Sequence, residues 1–147
     1  MTLDNLIGTT LERIDPDPAQ IARLLQAAAR NIQDAELPDL SNENRFDVAY
    51  KAIMQLANAA LQQAGFRTLT SKPGHHQTML QSLVKTVGIS TDRLIVLDAL
   101  RKQRNITDYS GDLVTAAAVS ECLQQAKELL QIVEQWLFGT SIPAPDK

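Results

Sequence analysis

An all-α fold, an antiparallel up-and-down four-helix bundle with one additional short helix, is predicted by three features of the sequence. Apolar residues recur at three-and-four spacing over four long stretches, and helix-starting and helix-stopping residues bracket each of them. No stretch alternates apolar and polar residues well enough to predict a strand, and no internal repeat is present. The 147 residues, 44% hydrophobic and 21% charged, fit one domain with a sizeable core, given roughly 100–200 residues per domain.

Residues 1–16 are read as an N-terminal segment with a short helix around 2–8, closed by Asp15-Pro16-Asp17-Pro18. Asp17 is a good N-cap, Pro18 suits the first helical position, and Gln20 completes a capping-box-like pattern. Ile21, Leu24, Leu25, Ala28, Ala29, Ile32 and Ala35 then mark one buried face of a helix that ends near Pro38. Ser41 caps a second helix, whose apolar residues run from Phe46 to Ala64 over more than half its circumference, so it is expected to lie centrally and to end at Gly65. Phe66 to Gly74 reads as a loop, and a third helix runs from about His75 to Gly88. Ser90-Thr91-Asp92 starts a fourth, driven inward by Leu94, Ile95, Leu97 and Leu100. Val114 or Thr115 opens a fifth, with a stripe from Ala118 to Leu137. The bundle is thus expected over 17–138, followed by a loose tail over 139–147 with two prolines.

Composition excludes several classes. No apolar run approaches the roughly 20 residues of a membrane helix, and the opening residues lack the basic start and apolar core of a secretory leader. The single cysteine, Cys122, lies on an apolar stripe and reads as a buried thiol. A cytoplasmic protein without a membrane partner is the expectation. Net charge is −3, which alone argues against a general nucleic-acid binder. Between Phe66 and Asn105, however, seven cations face only Asp92 and Asp98, a local +5 that leaves −8 for the remainder. No phosphate-binding Gly-rich loop, nucleophile elbow or zinc-protease motif is present. His75-His76 has no third ligand at a recognisable spacing, and adjacent helical residues point about 100° apart. No metal and no cofactor are therefore expected, and the pair is read as a helix start or a phosphate contact.

One stretch is dense in polar groups: Arg101-Lys102-Gln103-Arg104-Asn105-Ile106-Thr107-Asp108-Tyr109-Ser110-Gly111. Arg101, Lys102, Arg104, Asn105 and Asp108 fall at helical offsets that bring several of them to one side, and a guanidinium offers oxyanions a planar fork of donors. These residues, with Tyr109, are the candidates for a phosphate grip. The competing reading is a solvated face, with Asp98 pairing to Arg101 or Lys102 and the cations favoured by the helix C-terminus. Tyr50 and Trp136 lie on or beside apolar stripes and read as core, and Asp47 and Lys51 read as a surface ion pair.

The Tyr-containing, Ala-rich helix from Asp47 through Tyr50 to Gly65-Phe66-Arg67, then Gly74-His75-His76, then Arg101 to Tyr109 before a long closing helix, resembles a HEPN domain (higher eukaryotes and prokaryotes nucleotide-binding domain) over about residues 17–138. The resemblance implies an all-α bundle that pairs about a two-fold axis and brings two copies of an Arg-x4-6-His motif into one cleft. Many such domains are metal-independent endoribonucleases, including toxins encoded beside a nucleotidyltransferase antitoxin; others bind nucleotides, RNA or proteins. By position, Arg104 matches the family arginine and Asn105 the polar residue after it, while Tyr109 stands where the pattern places histidine.

That difference bears on mechanism. Attack by a ribose 2′-hydroxyl on the adjacent phosphate calls for acid and base groups that titrate near neutrality, and a phenol near 10 meets this poorly where an imidazole near 6.5 meets it well. Taken with the polar stretch, the resemblance implies a homodimer that binds RNA or a nucleotide through Arg104, with Arg101, Asn105 and Tyr109 around it and Lys102 and Asp108 beside them, and with ribonuclease activity weak or absent. The alternatives are an active endoribonuclease toxin, with Arg104 stabilising phosphate charge and Tyr109 donating a proton, and a bundle that only contacts other proteins.

Overall fold

A computed structural model describes residues 3–69, 74–111 and 113–139, without the side chains of Asp108 and Tyr109. Five α-helices follow a short 3-10 turn: α1 (Pro18–Ala35), α2 (Asn42–Gln63), α3 (His75–Ser82), α4 (Thr91–Ser110) and α5 (Ala116–Phe138). The four long helices build the expected all-α bundle, and α3 is the short extra one.

Local chemistry sets the starts. The Asp17 carboxylate accepts from the backbone N–H groups of Ala19 and Gln20, and the hydroxyls of Ser41, Ser90 and Thr115 accept from residues three further on. Gly111 and Gly139, both at positive φ, close α4 and α5. Arg45 on α2 donates through Nε to the Ala35 carbonyl at 2.7 Å, satisfying an orphan acceptor at the end of α1.

α2 is the central helix, as its wide apolar surface predicts. Phe46, Ala49, Ile53, Leu56, Ala57, Ala60 and Leu61 are all buried against Ala28 and Ile32 of α1 and Cys122, Leu129 and Val133 of α5. Its alanines let the flanking backbones approach closely. Cys122 sits in this core, where burial pushes its thiol up to about 12 and Sγ–H faces the Phe46 carbonyl at 3.8 Å. Glu43 in the first turn of α2 accepts from the Val114 N–H, and Asn42 donates to the Val114 carbonyl, so the α4–α5 connection is tied to the start of α2.

The structure corrects four expectations. A two-stranded antiparallel sheet is present: β1 (Leu11–Arg13) pairs with β2 (Phe66–Thr68), with Leu11 opposite Thr68 and Arg13 opposite Phe66. Three-residue strands are too short to show alternation in a sequence, yet Leu11 is buried and fastens the N-terminal segment to the core. Gly65, at φ +97°, makes the turn from α2 into β2 with the Ile14 carbonyl beside it. The third helix ends at Ser82, and residues 83–87 continue as turns. Ile95 points outward, and Trp136 is partly exposed instead of buried.

No helix among the described residues is long and apolar enough to cross a membrane.

Candidate functional site

α4 has two unlike faces. Arg93, Leu97, Leu100 and Arg104 follow one another at offsets of three and four and turn inward, with Leu97 and Leu100 buried against the bundle. Ile95, Ala99, Lys102 and Ile106 form the opposite, exposed stripe. At about 100° per residue, the nine positions from Ile95 to Arg104 amount to roughly half a turn, so the two point in opposing directions.

The inward end at Arg104 opens on a cleft of about 840 Å³. α2 supplies its floor with Asp47, Tyr50 and Met54, successive residues at offsets of three and four. α3 contributes His76 and Met79, and the end of α1 with the turn after it contributes Asp34, Leu37 and Leu40. Arg104, Tyr50 and His76 thus share the cleft with apolar Leu37, Leu40, Val48, Met54 and Met79 and with polar groups that include Asp34, Lys51 and Gln55.

Around Arg104 the side chains are tightly arranged. The Arg104 guanidinium carbon lies 5.3 Å above the centre of the Tyr50 ring, a cation–π geometry. Its Nε is 4.0 Å from Oδ1 of Asp47, and the side chain keeps a third of its surface exposed. The Tyr50 ring is buried, and its hydroxyl lies 3.2 Å from Nδ1 of His76. His75 packs edge-on against His76 with ring centres 4.7 Å apart. Burial pushes the Tyr50 phenol up to about 12, although the charges of Arg104 and Arg101 pull the other way. Burial also holds the His76 imidazole below its usual 6.5, assisted by His75, Arg104 and Arg101.

The residues singled out in the sequence separate here. Arg104 lines the cleft. Arg101 is mostly buried and donates from Nε to Asp98 Oδ1 at 2.8 Å, which holds the Asp98 carboxyl below its usual range. Its charge acts on Tyr50 and His76 without its side chain lining the cleft. Lys102 also approaches Asp98, at 3.5 Å, and lines a smaller hollow of about 370 Å³ with Leu94 and Ile95. Asn105 is exposed. The side chains of Asp108 and Tyr109 lie outside the described residues.

The expected basic patch is reduced by pairing: Arg67 meets Glu12 at 3.0 Å, Arg93 meets Glu128 at 2.9 Å, and Arg101 and Lys102 share Asp98. No group of His, Cys, Asp and Glu suited to a metal ion occurs among the described residues.

Three cleft residues were given other roles by the sequence alone. Tyr50 read as core, and its ring is buried, but its hydroxyl reaches the site. Asp47 read as the partner of Lys51, and it reaches across to Arg104 as well. His76 was weighed as a metal ligand, set aside for want of a third ligand, and read as a helix start or a phosphate contact, with no link to Tyr50. The offset of three between Asp47 and Tyr50 is the one local signal that places them together; nothing local announces His76 beside them.

No curated protein and no solved structure matches the chain. The model of the HEPN domain family matches residues 21–136, from the first turn of α1 to the last of α5. The match spans the five-helix order with its central α2 and arginine-bearing α4, and it shows that the chain belongs to the HEPN domain family.

Proposed function

We propose that this HEPN domain binds a phosphate-containing ligand, RNA or a nucleotide, in the cleft between α1, α2, α3 and α4, with Arg104 as the cation that contacts the phosphate. The observation that carries this reading is the Arg104 guanidinium at the cleft, stacked on Tyr50 and partly open to solvent. A guanidinium held against an aromatic face is pre-ordered, so little side-chain freedom is lost when it takes up an oxyanion. Arg101 adds positive potential from behind while remaining tied to Asp98. The aliphatic wall of Leu37, Leu40 and Met54 suits the apolar faces of a base or ribose.

The domain acts as a cytoplasmic homodimer in this proposal. Ile95 and Ile106, 61% and 56% exposed, share the outward stripe of α4 and support self-association. This arrangement differs from a shared crevice, because the two Arg104 side chains then face their own subunits' clefts. Asn105, Asp108 and Tyr109 are proposed as further contacts of a longer ligand, with Tyr109 in place of the family histidine leaving cleavage weak or absent, whereas Lys102 belongs to the outward stripe.

A second reading, a metal-independent endoribonuclease toxin paired with a nucleotidyltransferase antitoxin, is favoured by one observation: an imidazole, His76, stands in the same cleft. Labelled RNA incubated with the protein in EDTA separates the two. Binding without cleavage, lost in Arg104→Ala, is the expected result. Cleavage that disappears in Arg104→Ala supports the second reading, and indifference of both to that substitution rules out the Arg104 site.

A further inference from the structure

The tautomer of His76 follows from its neighbour. With its pKa pushed up to about 12, the Tyr50 hydroxyl is protonated throughout the neutral range. His76, held below 6.5, is neutral at pH 7. A phenol is a better proton donor than a neutral imidazole, and an imidazole nitrogen is a better acceptor than a phenol oxygen. The 3.2 Å contact is therefore Tyr50 O–H donating to the lone pair of Nδ1. The ring proton then resides on Nε2, and among the described residues the His76 ring makes no other hydrogen bond.

We propose, on the basis of the phosphate-binding reading above, that His76 is a second anion contact in the cleft, donating its Nε2–H to the phosphate that Arg104 holds, with Tyr50 as the positioning residue for both. Geometry carries this assignment. One phenol ring presents its face to Arg104 at 5.3 Å and its hydroxyl to His76 at 3.2 Å, and all three side chains line the same cleft. Tyr50 thereby spaces a charged fork and a neutral donor around one volume, an arrangement suited to the several oxygens of a phosphate group. In this tautomer the Nδ1 lone pair is occupied and Nε2 is already protonated. His76 then grips the ligand without acting as a base, so an imidazole in the cleft does not restore cleavage.

The charged and titratable groups that act on the ring or share its cleft are Asp34 on α1, Asp47, Tyr50 and Lys51 on α2, His75 on α3, and Arg101 and Arg104 on α4, with Asp98 paired to Arg101 behind them. A bound phosphate favours the imidazolium against the arginines. Affinity is thus expected to rise as pH falls toward the lowered value of His76, with the Tyr50 hydroxyl turning to accept from Nδ1–H.

The full chain is tested by fluorescence anisotropy with a short fluorescent single-stranded RNA, with adenosine monophosphate as competitor. His76→Phe keeps an aromatic ring and removes the donor, and is expected to weaken binding about tenfold. His76→Gln, which keeps an N–H donor, is expected to remain within about threefold of the parent. Competition by the mononucleotide assigns the contact to a terminal phosphate; binding of RNA alone assigns it to the backbone; either supports the proposal. Nitrogen NMR of the imidazole is expected to show protonated Nε2 and unprotonated Nδ1, with that preference lost in Tyr50→Phe. Normal affinity in folded His76→Phe, alongside lost affinity in Arg104→Ala, overturns the role of His76 and leaves the Arg104 site standing. An imidazole protonated on Nδ1 overturns it as well. Parent protein that binds neither probe overturns the underlying phosphate reading.

Discussion

The two arginines at the ends of the inner face of α4 have the same side chain and opposite uses. Arg93 reaches α5, where it donates to Gln125 at 2.7 Å and pairs with Glu128 at 2.9 Å. Arg104 reaches α2, where it lies over the Tyr50 ring and its Nε is 4.0 Å from Asp47 Oδ1. The first is a strut between helices and the second lines a cleft. What distinguishes them is the surface met by each end of α4: polar residues of α5 on one side, and a concave floor bounded by α1, α2 and α3 on the other. An arginine becomes a binding group when its neighbours orient it while leaving room for a ligand.

Four measurements test this contrast. Between the two arginines, Leu97 is buried in the core, and Leu97→Ala is expected to cost about 2–5 kcal/mol, because the cavity collapses only partly. A melting temperature within a degree or so of the parent contradicts the picture of α4 as anchored by that leucine. Arg104→Ala comes next, with RNA affinity lowered about tenfold or more and thermal stability changed little. Equal affinity of the two proteins removes the distinction between the ends.

Arg93→Ala is expected to do the reverse. It costs about 1 kcal/mol of stability in a chemical denaturation, a modest figure because the pair with Glu128 is partly solvated, and leaves RNA affinity alone. Loss of binding without loss of stability makes Arg93 part of the site and refutes its role as a strut.

The smallest effect is on pH. His76 is held below 6.5 in the folded chain, so the unfolded chain binds the proton more readily. The stability this ring contributes is complete above about 6.5 and declines as pH falls from there through the lowered folded-state value. Asp98, also depressed, loses its contribution only at lower pH, as acid reaches the carboxylate range. Urea unfolding at about pH 7 and about pH 5 is expected to show the parent losing more stability than His76→Phe. A larger loss in the variant contradicts the direction assigned to His76.

Much of the fold is legible before any coordinates. Asp17, Ser41, Ser90 and Thr115 announce helix starts because a cap is a contact within three residues, and α2 announces its central place because its apolar surface exceeds one face. The small sheet is not legible, since its stability comes from pairing Leu11–Arg13 with residues far along the chain. Ile95 misleads for a related cause. It belongs to an apolar-rich stretch, and only the packing of α4 decides that Leu97 and Leu100 turn inward while Ile95 stays out.

The sequence by itself determined an all-α bundle, its helix boundaries to within a turn at most ends, and an arginine at position 104 worth attention, because each depends on contacts between near neighbours or on the period of a helix. Tertiary structure alone decided that Arg104 rests on Tyr50, that Arg101 turns to Asp98, and that His76 arrives from α3 to meet the phenol. Those contacts join residues on separate helices, and their distances depend on how the core packs, a quantity no local spacing encodes.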